Sequence, residues 1–240
     1  MTEKRLQKEL DNLKKMILSL GAMVEERVRM AVKAIKSRDA DLASEIIRTD
    51  YEIDENEVEI EEECLKILAL HQPVAVDLRF IVAVIKINND LERVADEASN
   101  IAKCVQFIAH EDKVKVPFDY NMMAQKAQFM VKMSLDALVN LDEDLAFRVL
   151  TLDDEVDQIH GEAHNQIKGA IVEQPSRASY LINLLLISRY LERIADHATN
   201  LAEEVIYMIE GEIVRHGKWA LEAENPPAFC RSLCQPIRCD

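Results

Sequence analysis

Residues 91–102 read LERVADEASNIA, and residues 191–202 read LERIADHATNLA. Eight of the twelve positions are identical at an offset of 100 residues, so the chain contains a duplicated segment. Around the first copy, Val94, Ala98, Ile101 and Val105 step by four and three, the spacing of one face of an α-helix. Glu92 and Asp96 fall largely on the opposite face. Upstream, the run Asp50 to Asp54 (DYEID) matches Asp153 to Asp157 (DDEVD) at an offset of 103, and Asp39 matches Asp142 at the same offset. The difference of three residues lies between the second and third helices of each copy.

Outward from this repeat, the whole chain reads as helix. Leu6, Leu10, Leu13, Ile17, Leu20, Val24, Val28, Ala31 and Ile35 form one apolar stripe. Gly21 interrupts it at a cost of about 1 kcal/mol relative to Ala. Asp39 is suited to cap a second helix carrying Leu42, Ile46, Ile53, Ile60 and Leu65. Gln72-Pro73 ends that helix, and a third is expected from Val76 to Ala109. The charged, Pro117-containing stretch from His110 to Tyr120 breaks the pattern. It then restarts with helices over Asn121–Asn140, from the capping Asp142 to Glu173, and over Ala178–Arg215; Gln174-Pro175 repeats the earlier break.

The expected fold is all-α: two tandem antiparallel three-helix bundles related by internal duplication. Two copies are too few for a solenoid. The first repeat covers 1–110, a linker 111–120, the second repeat 121–215, and an irregular tail 216–240. Helices of about 30 residues span roughly 45 Å, which predicts an elongated molecule.

Composition narrows the function. With 44 Asp+Glu against 29 Lys+Arg the net charge is −15, the reverse of a nucleic-acid footprint, so no nucleic-acid partner is expected. The charged N-terminus lacks an apolar secretion segment, and the longest apolar runs (Phe80–Ile87, Leu181–Ile187) are too short to span a bilayer. A cytoplasmic protein, at most peripheral to the membrane's inner face, is expected. Cys64 and Cys104 read as core residues, whereas Cys230, Cys234 and Cys239 in the tail match no usual zinc spacing. Only 5 glycines occur, with no P-loop, dinucleotide turn or nucleophile elbow, so no enzyme class is indicated.

Four carboxylate pairs stand out: Asp50/Asp54, Glu92/Asp96, Asp153/Asp157 and Glu192/Asp196. Spacing of i, i+4 puts both members on one helix face, where like charges repel by about 0.2–0.5 kcal/mol. Asn100 and Asn200 extend two pairs by a turn. Helices two and three of each half are joined by a short connection and so are antiparallel neighbours, whose pairs face each other across the helix contact. Four carboxylates and an amide oxygen make a site for a hard cation such as Mg²⁺, Mn²⁺, Ca²⁺ or iron, with zinc a further candidate. The competing reading is a solvated acidic face of a helical adaptor without metal. A di-iron carboxylate enzyme or metal store would want Glu-x-x-His motifs, and no histidine has Glu three residues before it. His160 follows Asp157 by three residues, where the first half has Glu57. Glu97 stands where the second half has His197, a difference expected to give the two sites different affinities.

With these residues in place, the chain resembles the PhoU family of phosphate-uptake regulators over residues 1–216. The resemblance rests on LERVADEASNIA, on LERIADHATNLAEEV, on the paired Asp-x-x-x-Asp motifs and on the ending GEIVRH at 211–216. It implies two three-helix bundles with metal held by Asp50, Asp54, Glu92, Asp96, Asp153, Asp157, Glu192 and Asp196. It also implies a homodimeric, non-catalytic signalling protein. Such a protein links a phosphate ABC transporter to a sensor histidine kinase and represses the phosphate-starvation response when phosphate is plentiful. The tail after His216 departs from the family pattern.

Overall fold

The computed structural model describes residues 2–112, 118 and 120–214. The expected tail 216–240 with its cysteines, Arg215, and residues 113–117 and 119 of the expected linker lie outside the described residues. The described residues are all helix and connections: α1 (Thr2–Ser37), α2 (Ala40–Arg48), α3 (Tyr51–His71), α4 (Ala75–Ala109), α5 (Tyr120–Asn140), α6 (Glu143–Glu173) and α7 (Ala178–Glu210). A single 3₁₀ turn, Pro175–Arg177, joins α6 to α7. At 36 residues, α1 is about 54 Å long. No helix among the described residues is long and apolar enough to cross a membrane.

The duplication extends to backbone detail. Arg38 (φ 53°) and Leu141 (φ 51°), 103 residues apart, are both left-handed. The next amide, of Asp39 or Asp142, bonds back to Ala34 or Ala137 O at 3.4 and 3.0 Å, the six-to-one closure that ends a helix. Each aspartate then caps the following helix, Asp39 accepting from the Asp41 and Leu42 amides and Asp142 from that of Leu145.

α1 packs on α2, α3 and α4, while α5, α6 and α7 pack on one another. The two sets meet chiefly where α4 lies against α7, with α1 beside α5 as a second seam. α4 and α7 run antiparallel, since Lys86 pairs with Glu204 and Glu97 with Arg193. These central helices carry buried Ile81, Val84, Ile87, Leu91, Val94 and Ile101, matched by Leu184, Ile187, Leu191, Ile194 and Leu201. Gly21 also finds its reason here: a Cβ on it would sit 2.7 Å from Leu135 Cδ2, so its absence lets α1 approach α5.

Two expected boundaries move. The last helix stops at Glu210 rather than Arg215, because Gly211 turns left-handed (φ 80°) beneath the Arg79 guanidinium. The expected single helix after Asp39 is broken into α2 and α3 at Thr49-Asp50. There the Glu52 and Ile53 amides bond to Thr49 O and Asp50 O in i, i+3 fashion, at 3.3 and 2.9 Å. The cause is Arg27, buried on α1. Its guanidinium donates to Ile46 O and Thr49 O, each at 3.0 Å, and to the Thr49 hydroxyl. A charged donor that donates to the freed carbonyls stabilises the break. The equivalent position in the second half is buried Met130, which offers no donor, and α6 runs unbroken past Asp153.

Candidate metal centre

In the second half α6 supplies Asp153 and Asp157 from successive turns of a continuous helix, and the neighbouring α7 supplies Asp196. One carboxylate oxygen from each lies within 4.8 Å of the others, close enough to share one cation. Such proximity is costly without a counter-charge. Burial first, then Asp157 and Asp196, push the Asp153 carboxyl up to about 7. Burial and Asp157 raise Asp196; burial, Asp196 and Asp157 raise Glu192. Asp153 Oδ1 is buried with no hydrogen-bond partner, and so is His160 Nδ1. Burial holds the His160 imidazole below its usual range with the help of His164, against the pull of Asp157 and Asp196.

The first half assembles the same elements less tightly. Asp50 is raised by burial and by Asp54 and Asp96, against the hydroxyl of Ser99 and the charge of Arg27. Glu92 is raised by burial, by Asp96, and more weakly by Asp54 and Glu57. The four carboxylates are therefore neighbours. Among the described residues, however, only the second-half trio closes to within 4.8 Å. Asp50 stands at the junction of α2 and α3, whereas Asp153 and Asp157 lie on one continuous helix.

The asparagines are engaged elsewhere. Asn200 Nδ2 donates to Asp90 at 3.1 Å across the α4–α7 seam. Asn100 Oδ1 accepts from Lys103 Nζ at 3.2 Å, and its Nδ2 lies 3.4 Å from Glu97. Glu97 and His197 also serve the seam, pairing with Arg193 and Asp90. Arg27 is the residue that sequence reasoning missed. The available signal was an arginine at a position whose second-half counterpart is an apolar methionine.

Donor chemistry suits a cation: clustered carboxylates, one with an orphaned buried oxygen, raised in pKa by burial and by one another. Known proteins share the helical fold. The family model described as the PhoU domain matches twice, over residues 17–105 and 121–205. A phosphate-specific transport system accessory protein PhoU homolog from Pseudomonas aeruginosa is 37% identical over 209 residues, 87% of this chain and 86% of the relative. One from Aquifex aeolicus is 38% identical over 212 residues, 88% and 96% of the two chains. The crystal structure of PhoU from Pseudomonas aeruginosa superposes with a TM-score of 0.82 over 86% of this chain and 99% of that one. The phosphate transport system regulatory protein PhoU from Streptococcus pneumoniae, 28% identical, gives 0.78 over 88% and 100%. The chain therefore belongs to the PhoU family of phosphate-transport accessory and regulatory proteins, which is not a family of enzymes.

Proposed function

We propose that this chain is a metal-binding cytoplasmic regulator of phosphate uptake. In this reading it acts as an adaptor between a phosphate ABC transporter and a sensor histidine kinase, and restrains the starvation response when phosphate is plentiful. The relatives' description as accessory proteins of phosphate-specific transport supports the setting. The observation that carries the metal reading is the trio Asp153, Asp157 and Asp196, with oxygens within 4.8 Å. A merely solvated acidic face would leave its carboxyls at ordinary values, whereas Asp153 is raised to about 7.

Asp153, Asp157 and Asp196 hold the ion in the second half, with Glu192 beside them; Asp50, Asp54, Glu92 and Asp96 hold one in the first. When bound, the metal supplies positive charge that cancels the repulsion between facing helices. The chain's own residues do the rest. The α4–α7 seam transmits any change in the pitch of α3 or α6 to the other half, and the long helix surfaces present the docking faces. The test is binding of the transporter's cytoplasmic subunit and of the kinase's cytoplasmic part to metal-loaded and chelator-stripped protein. Weaker binding of the stripped form is expected; equal binding by both forms would overturn the metal-dependent adaptor.

A further inference from the structure

Where α7 ends, the two halves leave a groove of about 450 Å³ open between four helices. Leu10 and Ile17 of α1 and Phe80 of α4 line it from the first half, and Leu138 of α5 with Met208 and Ile209 of α7 from the second. Leu10, Ile17, Leu138 and Met208 are buried, so the floor is apolar. Val76 and Leu141, 64% and 50% exposed, carry the apolar lining outward to the rim. The charged residues along it are Asp11, Asp77 and Lys14. An apolar groove of this size with a few polar groups has the character of a binding site.

We propose that this groove is the docking site of the chain's own segment 215–221, with Trp219 as its anchor. The path of the chain argues for it. Ile209 lines the groove one residue before α7 ends. Gly211 then turns left-handed beneath Arg79, the neighbour of groove-lining Phe80. Val214 packs against the hydrophobic core, so the chain still follows the body of the protein at that point. Trp219 comes five residues later, a span of at most roughly 17 Å. Chemistry agrees with the path. Segment 215–221 reads RHGKWAL, with Arg215 and Lys218 and no acid, whereas the groove carries two carboxylates and one lysine. An indole brings a large apolar body and an N–H that needs an acceptor once buried, and Asp11 and Asp77 supply carboxylate oxygens. Docked there, the segment ties α1 and α4 to α5 and α7. It also covers Val76 and Leu141, apolar surface that a partner's helix would otherwise reach.

Trp219 is the sole tryptophan of the chain, so intrinsic fluorescence of the full-length protein reports on this contact alone. Emission of the native protein is expected to be blue-shifted from that of the same chain in urea, with weaker quenching by iodide, at every protein concentration. Val76→Glu and Leu141→Glu each bring a charge to the groove at an exposed position, one from either half, and circular dichroism checks that the helices are kept. Each is expected to shift the emission to the red and to raise iodide quenching toward the urea value. Val172→Glu is the control: Val172 is 78% exposed and precedes the start of α7, a helix of 33 residues and about 50 Å whose other end meets the groove. A response of either groove variant with none in the control supports the docking. Native emission equal to that in urea, emission that both groove variants leave unchanged, or an equal response to Val172→Glu would overturn it. A blue shift that grows with protein concentration would place Trp219 in the groove of a second copy and overturn the intrachain docking.

Discussion

Arg193 Nη1 on α7 lies 2.8 Å from Glu97 Oε1 on α4, and the glutamate side chain is only 4% exposed. The pair fastens one half of the molecule to the other. With Lys86–Glu204 at 3.1 Å and the His197–Asp90 hydrogen bond at 2.9 Å it forms a ladder of polar contacts along the seam. Arg193→Ala would leave Glu97 buried without its cation. A loss of about 1–3 kcal/mol is expected by urea denaturation. Glu97→Gln should cost less, because Arg193 is 39% exposed and can hydrate.

Arg27 stabilises the α2–α3 break through the Ile46 and Thr49 carbonyls. Arg27→Met copies the second half at this position. It removes the charged donor but leaves the carbonyls, so a destabilisation of about 1–3 kcal/mol is expected. Stability unchanged in urea would mean that the break persists for another reason.

Without metal the second-half carboxylates repel one another. Asp153→Asn should therefore raise the melting temperature of chelator-stripped protein, by the equivalent of about 0.2–0.5 kcal/mol for one i, i+4 pair. The same substitution should reduce the stabilisation that metal confers on wild type, which amounts to about 2.7 kcal/mol at a hundredfold excess over Kd. Paired thermal melts with and without metal read both effects.

A pH dependence follows from the same carboxyl. Asp153 is raised to about 7, so between the unfolded value of roughly 4 and that value the folded chain retains a proton the unfolded chain has released. The contribution favouring the folded state is complete below the unfolded value and is lost as pH rises toward 7. In metal-free protein, wild type should lose stability relative to Asp153→Asn across this window. Metal binding near neutrality should in turn release protons, measurable as a buffer-dependent heat. A constant gap between wild type and variant from acid to neutral pH would contradict the assignment.

Gly211 tests the end of α7. Its φ of 80° is strained for any side chain, and an added Cβ would meet the Arg79 guanidinium. Gly211→Ala is expected to cost about 1 kcal/mol or more, read as a lowered denaturation midpoint.

Although the split of α2 from α3 and the end of α7 at Glu210 were not legible in it, the sequence by itself determined six helical stretches, the breaks at Gln72-Pro73 and Gln174-Pro175, the caps at Asp39 and Asp142, and the duplication. These are local properties, set by periodicity, capping chemistry and proline sterics within a few residues. It also located the four carboxylate pairs, because i, i+4 spacing on a helix is itself local. Only the tertiary structure decided which carboxylates meet. Asp153 and Asp157 join Asp196 on an unbroken α6, while a guanidinium from α1 bends the chain beside Asp50. The same holds for Glu97, His197 and Asn200. Helix spacing alone places Asn200 beside the Glu192/Asp196 pair and sets Glu97 against His197 as a difference between the halves, while their partners Arg193 and Asp90, about a hundred residues away in the chain, commit all three to the seam. A side chain's partner depends on which helices pack side by side, and that choice is made by the buried faces of α4 and α7 rather than by the polar residues themselves.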